Sequence, residues 1–91
     1  MEFEIRVTNN AKSGLDWLEK AGRRAHLTKI LELLELLAKN PWINPPPYEK
    51  LGGNLNGLIS RRVNGRDRLI YEINESQKTI TVLAVRGHYD G

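Results

Sequence analysis

Apolar and polar residues alternate at the start of the chain. Phe3, Ile5 and Val7 fall on one side and Glu2, Glu4 and Arg6 on the other, which predicts a half-buried strand over residues 1–7. The period then lengthens. Ala11, Leu15 and Leu18 recur at helical spacing up to about Lys20, preceded by Thr8, Asn9 and Asn10, which are suited to cap a helix start. Gly22 is placed to end or kink that helix. A second helix is predicted from about Arg24 to Lys39, with Leu27, Ile30, Leu31, Leu34 and Leu37 as its core stripe. Leu33 and Leu36 widen the stripe enough to touch a second surface. Lys39 suits the C-terminal end of the helix, and Asn40 with Pro41 stops it.

The segment "NPWINPPPYEK" follows, and its four prolines predict a stiff, extended, polyproline-like connector. A short strand is expected from about Tyr48 to Leu51, then a loop, "GGNLNG". Three further strands are expected from Ile59 to Val63, Arg66 to Ile73 and Thr79 to Arg86. Asn64-Gly65 joins the first two and is a strong two-residue hairpin signal. The order β-α-α-β-β-β-β predicts an α+β fold. A mainly antiparallel, twisted sheet would carry both N-terminal helices on one face and leave the other face, or the open end, for function. A chain of 91 residues suits one domain, residues 1–91.

Composition narrows the classes. The absence of cysteine rules out a disulfide framework and a thiolate metal site, and suits a reducing cytoplasm. The opening residues do not read as a secretory signal. The most apolar run, "ILELLELLA", is too short and too charged to span a bilayer, so no membrane partner is expected. The net charge of +3 points weakly to an anionic partner. Placement says more, because Arg61, Arg62, Arg66, Arg68 and Arg86 gather in the hairpin and last strand, opposed mainly by Asp67, Glu72 and Glu75.

A two-residue turn would set Arg61 opposite Arg68, and a three-residue loop, Asn64 to Arg66, would set Arg62 there instead. Either way like charges face each other, which is destabilising. A phosphate between the two guanidinium forks reverses the sign of that interaction. The plain alternative is a solvated edge with Asp67 and Glu72 as counter-charges. Just past the last strand stand His88 and Tyr89, beside Arg86, and imidazole exchanges protons near neutral pH. His26 reads as a helix-surface residue. Glu49 follows the prolines, where a rigid approach would hold a carboxylate as a base. Two distant histidines and scattered carboxylates give no metal-ligand spacing, no cofactor motif is present, and no glycine-rich phosphate loop precedes a helix. The carboxylate, guanidiniums, imidazole and phenol suit metal-independent RNA cleavage by 2′-OH attack. The residues alone do not settle which group is acid and which is base.

The pieces "NPPPYEKL", "GNLNGLISRRVNGRDRLIY" and "RGHY" together resemble the YoeB/Txe toxins of the RelE superfamily, which belong to bacterial type II toxin–antitoxin systems. The resemblance spans essentially the whole chain. It implies a ribosome-dependent endoribonuclease that cuts mRNA in the ribosomal A site and is neutralised by a YefM-like antitoxin. By position it makes Glu49 the general base, Arg68 the stabiliser of the scissile phosphate with Arg62 assisting, His88 the general acid and Tyr89 a positioning group. Arg61, Arg66, Arg86 and Lys50 are the further candidates for RNA contact. Homodimers, and operator DNA bound through the antitoxin complex, are also expected. Two departures stand out: many relatives have His where Asp67 stands, and Asp90 and Gly91 extend past the His88-Tyr89 pair. Asp67 is expected to weaken the local positive field. The competing expectation is a non-catalytic basic module that binds nucleic acid or the ribosome, or that acts as a co-repressor with an antitoxin.

Overall fold

The computed structural model describes residues 2–63 and 67–86. Its elements are β1 (Glu4–Val7), α1 (Asn9–Lys20), α2 (Arg24–Lys39), β2 (Tyr48–Lys50), β3 (Leu58–Arg62), β4 (Arg68–Asn74) and β5 (Thr79–Arg86), with one 3-10 turn at Gly53–Leu55. Order and periods are those the alternation predicts. The sheet runs β1-β5-β4-β3-β2. It is antiparallel except at one edge, where β1 joins β5 in parallel with Ile5 opposite Ile80 and Val7 opposite Val82.

Local chemistry sets the helix ends. Thr8 accepts the Ala11 N–H on its hydroxyl oxygen, at 3.2 Å, and so caps α1. At the other end Gly22 has φ +77°. Its N–H donates to Glu19 and that of Arg23 to Leu18, the paired bonds of a helix closed by a left-handed glycine. Gly22 therefore ends the helix rather than kinking it, and α2 starts at once. The core stripe of α2 is narrower than its seven apolar residues suggest. Ile30, Leu33, Leu34 and Leu37 are buried, whereas Leu31 is 49% and Leu36 44% exposed. The helix packs against α1 and against β1 at the sheet edge, so the stripe centres on Leu33 and Leu34 and leaves Leu31 half in solvent. No helix among the described residues is long and apolar enough to cross a membrane.

The core lies between these helices and one face of the sheet, where Ala11, Leu18 and the α2 stripe meet Ile59, Leu69, Tyr71, Ile80, Val82 and Val85. One irregularity makes this possible. Ile70 pairs with Ala84 but Tyr71 pairs with Val82, so Leu83 is an extra residue in β5. A bulge shifts the two-residue phase. It brings Val85, Val82 and Ile80 all inward, where an unbroken strand would have turned Leu83 and Thr81 to the core. The Leu83 carbonyl accepts from Thr8 Oγ1 at 3.1 Å and Asn10 Nδ2 at 3.0 Å, so the start of α1 is tied to the bulge. Further along β5, Gly14 lets α1 approach closely: a Cβ there would lie 2.6 Å from the Val85 carbonyl oxygen.

Candidate active site

The helix-free face of the sheet is read off the register. Glu49 pairs with Ser60, Ser60 with Ile70, and Arg62 with Arg68. Side chains two residues apart on a strand share a face. Glu49, Ser60, Arg62 and Arg68 therefore stand together, away from the helices. They line one concavity of about 260 Å³, completed by Pro47 and Tyr48. Ser60, which is not among the candidates the sequence suggests, is only 6% exposed and forms part of the floor. Its spacing of two from Arg62 was the available signal.

The Val63 N–H donates to the Asp67 carbonyl at 2.8 Å. Residues 63 and 67 thus make a hydrogen-bonded pair, and the next rung, Arg62 and Arg68, is a non-hydrogen-bonded one, where opposite side chains come closer. The hairpin has the register of the three-residue connection, not that of a two-residue Asn-Gly turn. Among the described residues, two arginines flank the rim of a hollow whose other charged group is the Glu49 carboxylate. The arrangement holds a carboxylate, a group able to accept a proton, beside two planar donors of fixed charge, groups able to bind a phosphate.

Arg61 corrects the expectation that it contacts RNA. It points into the helix layer and is 0% exposed. Its Nε donates to the Tyr71 hydroxyl at 3.0 Å. Nη1 donates to the carbonyls of Ile43 and Pro46, and Nη2 to that of Pro41. The guanidinium lies over the Tyr48 ring, 4.9 Å from its centroid. The proline segment explains this. It does not run as an extended connector but turns at residues 41–42 and bends at 45–46. Its carbonyls have no sheet partner there, and Arg61 supplies the donors. Burial raises the Tyr71 hydroxyl above its ordinary value of 10.0, against the opposing hydrogen bond and charge of Arg61.

Lys50 also lies apart from the concavity. It faces the other side of β2, with its ammonium 5.6 Å from the Trp42 ring centroid. Arg86 stands opposite Arg68 in backbone register. Arg66, His88 and Tyr89 lie outside the described residues. Asp67 is not on the face it was expected to influence: its side chain is 1% exposed, and its Oδ2 lies 2.8 Å from Nδ1 of His26 on α2. His26 is accordingly a packed contact rather than a plain surface residue.

Comparison with known proteins agrees with the architecture. The toxin YoeB of Mycobacterium bovis is 32% identical over 75 residues, which cover 82% of this chain and 84% of that protein. The YoeB/ParE toxin from Agrobacterium tumefaciens shares the fold, with a TM-score of 0.83 at 23% identity over 96% of this chain and 100% of that one. YoeB from Staphylococcus aureus, solved as a dimer and in a heterotetrameric complex with YefM, matches with a TM-score of 0.78 at 27% identity over 98% of this chain and 100% of that one. The family profile described as YoeB-like toxin of the bacterial type II toxin–antitoxin system matches residues 9–89. With that match covering most of its length, the chain belongs to the YoeB-like toxins.

Proposed function

We propose that this toxin is an endoribonuclease that cleaves mRNA in the ribosomal A site and so blocks translation. The observation that carries the proposal is the meeting of Glu49, Arg62 and Arg68 around one concavity. Glu49 takes the proton of a ribose 2′-OH. The 2′ oxygen attacks the adjacent phosphorus, and charge building on the phosphoryl oxygens is met by Arg68 and Arg62. His88 gives its proton to the departing 5′ oxygen, leaving a 2′,3′-cyclic phosphate and a 5′-hydroxyl. The roles of His88 and of Tyr89, as a positioning group, rest on the family resemblance. DNA has no 2′-OH, so this chemistry is specific to RNA.

A YefM-like antitoxin is the proposed neutralising partner, supported by the Staphylococcus aureus complex. A homodimer is proposed on the dimer of the same relative. Purified protein incubated with programmed ribosomes is expected to yield cyclic-phosphate ends. Glu49→Gln should lower the rate by about 10²- to 10⁴-fold. Message left intact by the wild-type protein, with salt-sensitive ribosome binding retained, would instead favour the non-catalytic binding module.

A further inference from the structure

We propose that His26 is a positioning residue for Arg68, acting through Asp67 to hold the hairpin in the register that delivers Arg68 to the concavity. The inference rests on the catalytic reading above for its activity arm and on geometry for the rest. Asp67 is the last residue before β4. Its carbonyl accepts the Val63 N–H at 2.8 Å, and its carboxylate is drawn into the helix layer against His26, Oδ2 to Nδ1 2.8 Å. The two atoms meet at ion-pair distance without the alignment of a hydrogen bond, and Nδ1 has no hydrogen-bond partner among the described residues. A carboxylate only 1% exposed is costly unless partnered, which fixes Asp67 to the helix side.

Fixing Asp67 fixes its neighbour. Successive strand side chains point to opposite faces, so Asp67 on the helix side puts Arg68 on the open side, beside Arg62. The register of a two-residue turn would pair Arg61 with Arg68. Cross-strand partners share a face, and Arg61 belongs to the buried one. That slip would carry Arg68 off the concavity and put Asp67 on it, since a one-residue shift turns every side chain over. Repulsion between Arg62 and Arg68 pushes toward such a change at the terminal rung. Arg61 and Leu69 hold the ladder one rung further in, and the His26–Asp67 contact opposes the change at the rung itself. The catalytic arginine is in this way tied to α2, an element that contributes nothing else to the concavity.

The test uses the full chain with His26→Ala and His26→Asn, because asparagine keeps a polar group beside the Asp67 carboxylate where alanine does not. Hydrogen exchange at the Val63 amide reports the terminal rung, and exchange at β5 amides such as Val82 reports global stability. In His26→Ala the Val63 amide should exchange at least about tenfold faster with β5 unchanged. Cleavage kcat should fall by about 10- to 100-fold, the range expected of a displaced group, with KM for ribosomes unchanged. His26→Asn should restore both. The proposal is overturned by an unchanged Val63 amide or kcat in His26→Ala, by Val63 and β5 accelerating together, or by failure of the asparagine to restore either reading. Intact message with the wild-type protein would defeat the nuclease reading alone, and Val63 exchange would then decide the role of His26 by itself.

Discussion

Arg62 and Arg68 face each other directly across the β3–β4 ladder, in the kind of rung that brings side chains closest. Nothing in the fold gains from two like charges so placed. Removing one of them should stabilise the protein: Arg68→Gln and Arg62→Gln are each expected to gain about 0.2–1 kcal/mol at low salt. The gain should vanish in molar salt, where screening acts over about 3 Å. The same variants should lose mRNA cleavage. Urea unfolding at two ionic strengths checks the claim, and a variant less stable than wild type at low salt counts against it.

Arg61, one residue earlier, has the opposite fate. Its donors satisfy three loop carbonyls and the Tyr71 hydroxyl, so truncation leaves two buried and two part-buried acceptors without it. Arg61→Met should cost about 3–5 kcal/mol, a drop in Tm of more than ten degrees by the usual conversion for a domain of this size. Arg61→Lys should rescue little, since a single ammonium cannot reach all the acceptors that the planar fork serves. Thermal melts of Arg61→Met beside Arg62→Met make the comparison. Equal melting temperatures would contradict the buried role.

These neighbouring arginines also show how far the sequence could be read. The periods of two and 3.6 placed every strand and helix, and period two put Arg62 and Arg68 on a common face once their register was known. The register itself was not legible. Asn64-Gly65 favours a two-residue turn by local chemistry, and burial of Arg61, Leu69 and Tyr71 overrules it. Nor could Arg61 be told from Arg62, because its acceptors lie up to 20 residues upstream in a segment whose bends depend on that same arginine. The bulge at Leu83 was hidden for a related reason: "TITVLAVR" is apolar in either phase, and contact with Thr8 and Asn10 decides it. Glu49 was recognisable because a single residue separates it from the prolines.

Tyr71 gives a dependence on alkaline pH. Burial lifts its hydroxyl above 10.0, Tyr48 adds to the rise, and Arg61 opposes it. The folded chain thus holds this proton more tightly than the unfolded chain. The resulting stability is fully present below about pH 10 and is lost as pH rises through the folded value. Tyr71→Phe should cost about 1–3 kcal/mol at neutral pH, because Arg61 Nε loses its acceptor, yet its stability should decline less steeply above pH 10. Urea midpoints across that range provide the measurement. Parallel declines for the two proteins would show that Tyr71 is not the group responsible.

Gly14 tests whether α1 must press on β5. Alanine in a helix interior ordinarily gains about 1 kcal/mol over glycine. Here the added Cβ would meet the Val85 carbonyl oxygen at 2.6 Å and the Val85 Cβ at 3.0 Å. A backbone atom cannot move aside as the end of a side chain can, so the clash should outweigh the propensity and leave Gly14→Ala about 1–3 kcal/mol less stable. Ser13→Ala, on the exposed neighbouring position, should stay within about 0.5 kcal/mol of wild type. Val85 immediately precedes Arg86, the residue opposite Arg68, so a shifted β5 should lower cleavage in Gly14→Ala as well. A melting temperature above wild type would mean that α1 lifts off β5 at little cost, and that the close approach at Gly14 does not hold this end of the sheet in place.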